Sequence, residues 1–192
     1  METELSERQK EIINASLEII AENGIQSLTI KNLSKKIGLV ESAIYRHYES
    51  KTQILIAILD SITVETKSND LAEVKSVISV LEKRFENQFF TFTENPALVS
   101  VIFAEDLFQN EVLLVEKTKA KVERSISEMA VMIKVGQQKG EIRNDIDSEQ
   151  LSIMIIGSVR MLVKQWKMSG YSFNLINKGA ELIQSLKLIL KL

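Results

Sequence analysis

Between Leu28 and Lys51 the chain reads LTIKNLSKKIGLVESAIYRHYESK. Ile30, Leu33 and Ile37 recur at helical spacing and give a first short helix one apolar face. Thr29 precedes that run as an N-cap whose hydroxyl can accept a backbone N–H. Gly38 supplies the backbone freedom for a sharp turn. Ala43, Ile44 and Tyr48 then pin a second short helix to the first, which leaves Glu41, Ser42, Tyr45, Arg46 and His47 on its other face. A helix–turn–helix that displays hydroxyls, a phenol and cations has the shape of a DNA major-groove reader.

The order T-x-x-x-L-x-x-x-x-G-L-x-x-x-x-I-Y-x-H-Y-x-x-K, carried by Thr29, Leu33, Gly38, Leu39, Ile44, Tyr45, His47, Tyr48 and Lys51, resembles the DNA-binding domain of the TetR family of bacterial transcriptional repressors. The likeness extends upstream through Ile12, Ala15, Leu17 and Gly24 and downstream to about Ile62. Val40 stands where the family often has a small polar residue, and Tyr48 replaces the commoner phenylalanine. The resemblance implies a three-helix N-terminal domain followed by a helical ligand-binding and dimerisation domain. It also implies that a small molecule in the second domain changes the spacing of the DNA-binding domains and releases the operator.

Composition agrees with an all-α chain. One proline and seven glycines in 192 residues favour long uninterrupted helices. Cysteine is absent, which fits a reducing cytoplasm and excludes disulfide and thiol chemistry. The N-terminus METELSERQKEII lacks the apolar core of a signal peptide, and the longest apolar run, Ile54 to Leu59, is too short to span a membrane. A cytoplasmic protein with no membrane partner is expected.

The net charge of −2 argues weakly against nucleic acid, but its distribution does not. From Thr29 to Gln53, five cations (Lys31, Lys35, Lys36, Arg46, Lys51) face two carboxylates (Glu41, Glu49), a local balance of +3. Local cations suffice to neutralise phosphates. Charge alone favours a solvated helix face; the motif reverses that reading.

Ser6 with Gln9 forms a capping-box signature for a first helix that stops at Asn23-Gly24, and Ser50 with Gln53 repeats it for a helix through Ile62. The polar stretch Glu65 to Asp70 reads as a hinge, so residues 1–67 are predicted as the helix–turn–helix domain and 68–192 as the second domain. Beyond it the pattern predicts helices from Leu71 to about Thr93, Ala97 to Phe108, Glu111 to Lys139, Asp147 or Ser148 to Met168, and Asn174 to Leu190. No strand alternation or repeat appears.

Two features of the second domain carry inference. Six of the seven phenylalanines (Phe85, Phe89, Phe90, Phe92, Phe103, Phe108) fall in one interval. They could line a cavity for an apolar or aromatic effector, with Phe89, Phe103, Phe108 and Met132 as candidate lining, or simply form core. The penultimate helix is apolar around most of its circumference and must be covered on more than one side. A homodimer through the last two helices is expected, with Ile155, Val159, Leu162, Trp166, Ile183 and Leu186 at the interface; a central core helix in a monomer is the alternative.

Catalytic chemistry is nearly absent. His47 is the single histidine, so no triad or His/Cys metal cluster can form, and no phosphate-loop motif occurs. Glu105-Asp106 read as a polar helix face, and Asp145, Asp147 and Glu149 as helix-start chemistry. No enzyme activity, cofactor or metal is expected. The predicted partner is a double-stranded, pseudo-palindromic operator. Thr29, Arg46, His47 and Lys51 are candidates for phosphates, and Lys31, Glu41, Ser42, Ala43 and Tyr45 for base edges. A constitutive DNA-binding regulator and a helical protein-interaction module remain as other readings.

Overall fold

The computed structural model describes residues 5–62, 74–104, 108 and 111–191, and among them every regular element is helical. α1 (Glu7–Asn23) begins at Ser6, whose hydroxyl accepts from Gln9 N–H while the Gln9 side-chain Oε1 accepts from Ser6 N–H, the reciprocal capping box. Gly24, at φ +77°, closes it, and a 3₁₀ turn over Ile25–Ser27 leads to α2 (Ile30–Ile37). Thr29 caps α2 by accepting from Asn32 N–H at 3.1 Å. Gly38 ends it in the left-handed region, φ +75° and ψ 30°, where a side chain is disfavoured. α3 (Glu41–Tyr45) and α4 (Lys51–Ser61) follow. The second capping signature forms in altered shape: the Ser50 hydroxyl accepts from Gln53 N–H, but the Gln53 side-chain Oε1 takes the N–H of Glu49.

The remaining helices are α5 (Val77–Glu94), α6 (Pro96–Ile102), α7 (Val112–Gln138), α8 (Ser148–Met168) and α9 (Leu175–Leu190). α6 is shorter than its pattern suggested: Ala104 N–H bonds the Val101 carbonyl, a tight turn that ends the helix before Phe108. Asp147 caps α8 through Glu149 and Gln150 N–H, and Asp145 pairs with Arg143 by two bonds of 2.7 and 2.6 Å. Those carboxylates therefore do helix-start and ion-pair work. Glu105, Asp106, the hinge over Glu65 to Asp70 and the boundary between 67 and 68 lie outside the described residues.

The chain divides into two compact units. The first takes Met1–Thr63 and Asn95–Thr118, so that α6 joins α1 and α4; the second takes Val64–Glu94 and Lys119–Leu192. In the first unit, Ile12, Leu28, Leu33, Ile44, Ile54 and Ile58 are fully enclosed. Burying side chains of this size stabilises by roughly 1.5–3 kcal/mol each. In the second unit α9 packs on α5 and α8 around Val77, Phe89, Met132, Ile133 and Leu151.

Most of the residues expected at a dimer surface lie inside the chain itself. Ile155, Val159, Trp166, Ile183 and Leu186 are buried within their own subunit, and only Leu162 of that set is partly open. Leu151, Ile155, Val159 and Val163 repeat every four residues and form the inward stripe of α8. Trp166 is spent on the turn after α8, its indole N–H bonding the Phe173 carbonyl at 2.9 Å and its ring meeting Tyr171 edge-on. The exposed large apolar residues of α8 are Ile153, Met154, Met161 and Met168, the first three of them beside Gly157, Ser158, Gln165 and Leu182.

Candidate nucleic-acid interface

α3 owes its orientation to two anchors. Ile44 is fully enclosed and Tyr48 is 5% exposed, so the helix is fixed by one side. Glu41, Ser42, Tyr45 and Arg46 consequently face solvent, with Tyr45 49% exposed although aromatic. Ala43 and His47 are half-buried at the edges of that face. An exposed phenol with a cation, a hydroxyl and a carboxylate on one short helix offers donors, acceptors and a stacking surface to a groove.

The placements of Lys36 and Lys51 were not visible in the sequence pattern, whereas the apolar start of α3 was. Lys36 is turned back onto α1, with Nζ 3.0 Å from Glu18 and 2.8 Å from Glu22; the bond to Glu22, then that to Glu18, raises its pKa. Lys31, Lys35, Lys36 and Arg46 are all exposed cations of the motif, and Lys36 among them is engaged with the α1 carboxylates. Val40 occupies the N-cap of α3 and makes no capping bond. Lys51, a candidate phosphate contact, is half-buried: its ammonium donates to the Ile25 carbonyl at 3.4 Å, and burial lowers its pKa. Nothing local signalled this, because the walls around Lys51 include Phe108 and Leu114 from far along the chain.

Tyr48 carries a second consequence of burial. Its hydroxyl has no hydrogen-bond partner among the described residues, and desolvation raises the phenol pKa.

The candidate pocket residues do not share a unit. Phe103 and Phe108 belong to the first, where Phe108 lines a cavity of about 120 Å³ with Lys51, Leu55 and Leu114. Phe89 and Met132 belong to the second and are fully enclosed there. Arg84 approaches the Met132 sulfur at 3.6 Å and Glu128 at 3.6 Å. Among the described residues no trio of His, Cys, Asp or Glu gathers to hold a metal, and no helix is long and apolar enough to cross a membrane.

Comparison with known proteins places this arrangement. Residues 12–58 match the family described as bacterial regulatory proteins, tetR family, and residues 59–190 match the YsiA-like protein C-terminal region. The chain is 25% identical over 186 residues to the fatty acid metabolism regulator protein of Bacillus subtilis (strain 168), covering 91% of this chain and 93% of that one. Two solved structures share the fold. FadR from Bacillus halodurans superposes with a TM-score of 0.79 at 20% identity, covering 96% of this chain and 97% of its own. FadR from Bacillus subtilis in complex with stearoyl-CoA gives 0.78 at 22% identity, with 94% and 98% covered. The chain belongs to the TetR family of bacterial regulatory proteins and is a DNA-binding transcriptional regulator.

Proposed function

We propose that the protein is a homodimeric repressor that binds a pseudo-palindromic operator in the cytoplasm and is released by a small molecule with a long apolar chain. The observation that carries the DNA part is the α3 face: Ile44 and Tyr48 hold the helix from behind while Tyr45, Arg46, Ser42 and Glu41 stand in solvent. In this reading Lys31, Glu41, Ser42, Ala43 and Tyr45 meet base edges. Thr29, Arg46, His47 and Lys51 meet phosphates, which position the protein without specifying sequence. Residues 1–67 act as the DNA-binding domain and 68–192 as the regulatory domain. Binding alone performs the work, with no cofactor.

Two copies are needed because a two-fold operator is read by two recognition helices in successive major grooves. The surface that suits the second copy is the outward strip of α8, with Ile153, Met154 and Met161 beside the small residues Gly157 and Ser158.

For the effector, support comes from the relative named for fatty acid metabolism and from the neighbour solved with stearoyl-CoA. The apolar interior of the second unit, with Phe85, Phe89, Phe92, Met129 and Met132, is chemically suited to an acyl chain, and methionine side chains repack readily. A ligand releases DNA only through its differential affinity for the two states. The test is a fluorescence-anisotropy titration of protein bound to a duplex selected from a random pool. Stearoyl-CoA is expected to displace the DNA. Displacement by coenzyme A itself, with no effect of stearoyl-CoA beyond it, contradicts the assignment.

A further inference from the structure

The N-terminal end of α4 is tied to a residue 59 positions later. Thr52 Oγ1 donates to the Glu111 carboxylate at 2.9 Å, and Glu111 immediately precedes α7. Beside this bond Lys51 points inward, towards the Ile25 carbonyl, and Lys51, Thr52 and Glu111 line the same cavity as Phe108 and Leu114. An ammonium partly withdrawn from water beside Leu55, Phe108 and Leu114 gains from electrostatic compensation. The carbonyl contact of 3.4 Å is long for a hydrogen bond and supplies little of it. Glu111 supplies the opposite charge: burial lowers the Lys51 pKa, and Glu111 acts against that lowering. Glu111 itself is solvent-exposed, so the contact can open without unfolding its surroundings.

We propose that Glu111 is a positioning residue for operator binding: it holds Lys51 and Thr52 inward, and the Lys51 ammonium becomes available to a DNA phosphate when that hold is released. The inference rests on the reading of Lys51 as a phosphate contact. Removing the charge at Glu111 takes away what compensates the inward ammonium, which then moves to solvent, where a phosphate can accept it.

The experiment uses the full chain and a labelled duplex selected in vitro by the wild-type protein, titrated over a range of salt concentrations. Glu111→Gln keeps an oxygen for Thr52 but removes the charge. It should bind roughly three- to tenfold tighter, with the slope of log K against log salt steeper by about one. Thr52→Val, which frees Glu111, should shift affinity in the same direction. Glu116→Gln, the same charge change at an exposed site on α7, should leave affinity unchanged. In a Lys51→Gln background the gain from Glu111→Gln should vanish. Unchanged or weaker binding by Glu111→Gln, or a gain that survives Lys51→Gln, overturns the inference while leaving the DNA reading intact. A wild-type chain that selects no duplex overturns both.

Discussion

Gly179 of α9 presents its bare Cα to the ring of Phe89 on α5. A Cβ at Gly179 would lie 2.9 Å from Phe89 Cγ and closer still to two other ring atoms. Phe89 is fully enclosed, so the ring has nowhere to go. The close crossing of α5 and α9 therefore depends on glycine at this point, and Phe89 is a packing element of that crossing.

Gly179→Ala should accordingly destabilise the protein. Overpacking costs about 1–3 kcal/mol, against roughly 1 kcal/mol gained in helix propensity. Thermal unfolding should show a lower Tm for Gly179→Ala than for wild type. A Tm for Gly179→Ala at or above wild type would mean that the two helices can part without cost.

Tyr48→Phe should stabilise. The buried hydroxyl has no partner among the described residues, and removing an unsatisfied polar atom without changing shape recovers its desolvation cost. About 1 kcal/mol corresponds to a Tm increase of roughly 2–4 °C for a chain of this size. A decrease would reveal that the hydroxyl is satisfied in solution.

Val40→Thr addresses the other departure from the family pattern. Val40 is 68% exposed at an uncapped helix start. A hydroxyl there can accept an orphan N–H of α3, a contribution of about 0.5–1 kcal/mol. Slower amide exchange at the start of α3 is the expected signature; unchanged exchange would show that the cap does not form.

The helical pattern was readable because its signals are local. Ser6, Thr29, Ser50 and Asp147 each accept a nearby backbone N–H, as their spacing required, and Gly24 and Gly38 sit at positive φ where helices stop. The outward face of α3 was readable too, because a helix of five residues leaves few arrangements once Ile44 is buried. Facing on α8 was harder. Both sides of that helix are apolar, so periodicity could not tell the stripe of Ile155 and Val159 from that of Ile153, Met154 and Met161. Lys51 failed for a different reason: its burial and its charge partner come from residues distant in sequence.

The two stripes of α8 give separable outcomes. Val159→Asp places an unpaired charge inside the subunit, which costs several kcal/mol, so loss of folded protein is expected. Met161→Lys, at a residue 57% exposed, should preserve helicity and thermal stability of the subunit while shifting light scattering from dimer to monomer. A wild-type chain that is monomeric at micromolar concentration, or a Met161→Lys chain that remains fully dimeric, removes this strip from the interface.

The account stands most directly on what the α3 face does. The decisive measurement is the affinity of wild-type and Tyr45→Ala protein for the in-vitro-selected duplex, with helicity followed in parallel. Tyr45 is exposed and supports no core, so its truncation should leave the fold unchanged. Loss of one base-reading contact should cost about 1–3 kcal/mol, roughly a five- to 150-fold weaker Kd per recognition helix. The selected duplex should contain an inverted repeat whose half-sites are separated by about one helical turn or a multiple of it. Equal binding by wild type and Tyr45→Ala, at equal helicity, would contradict the assignment of this face to DNA.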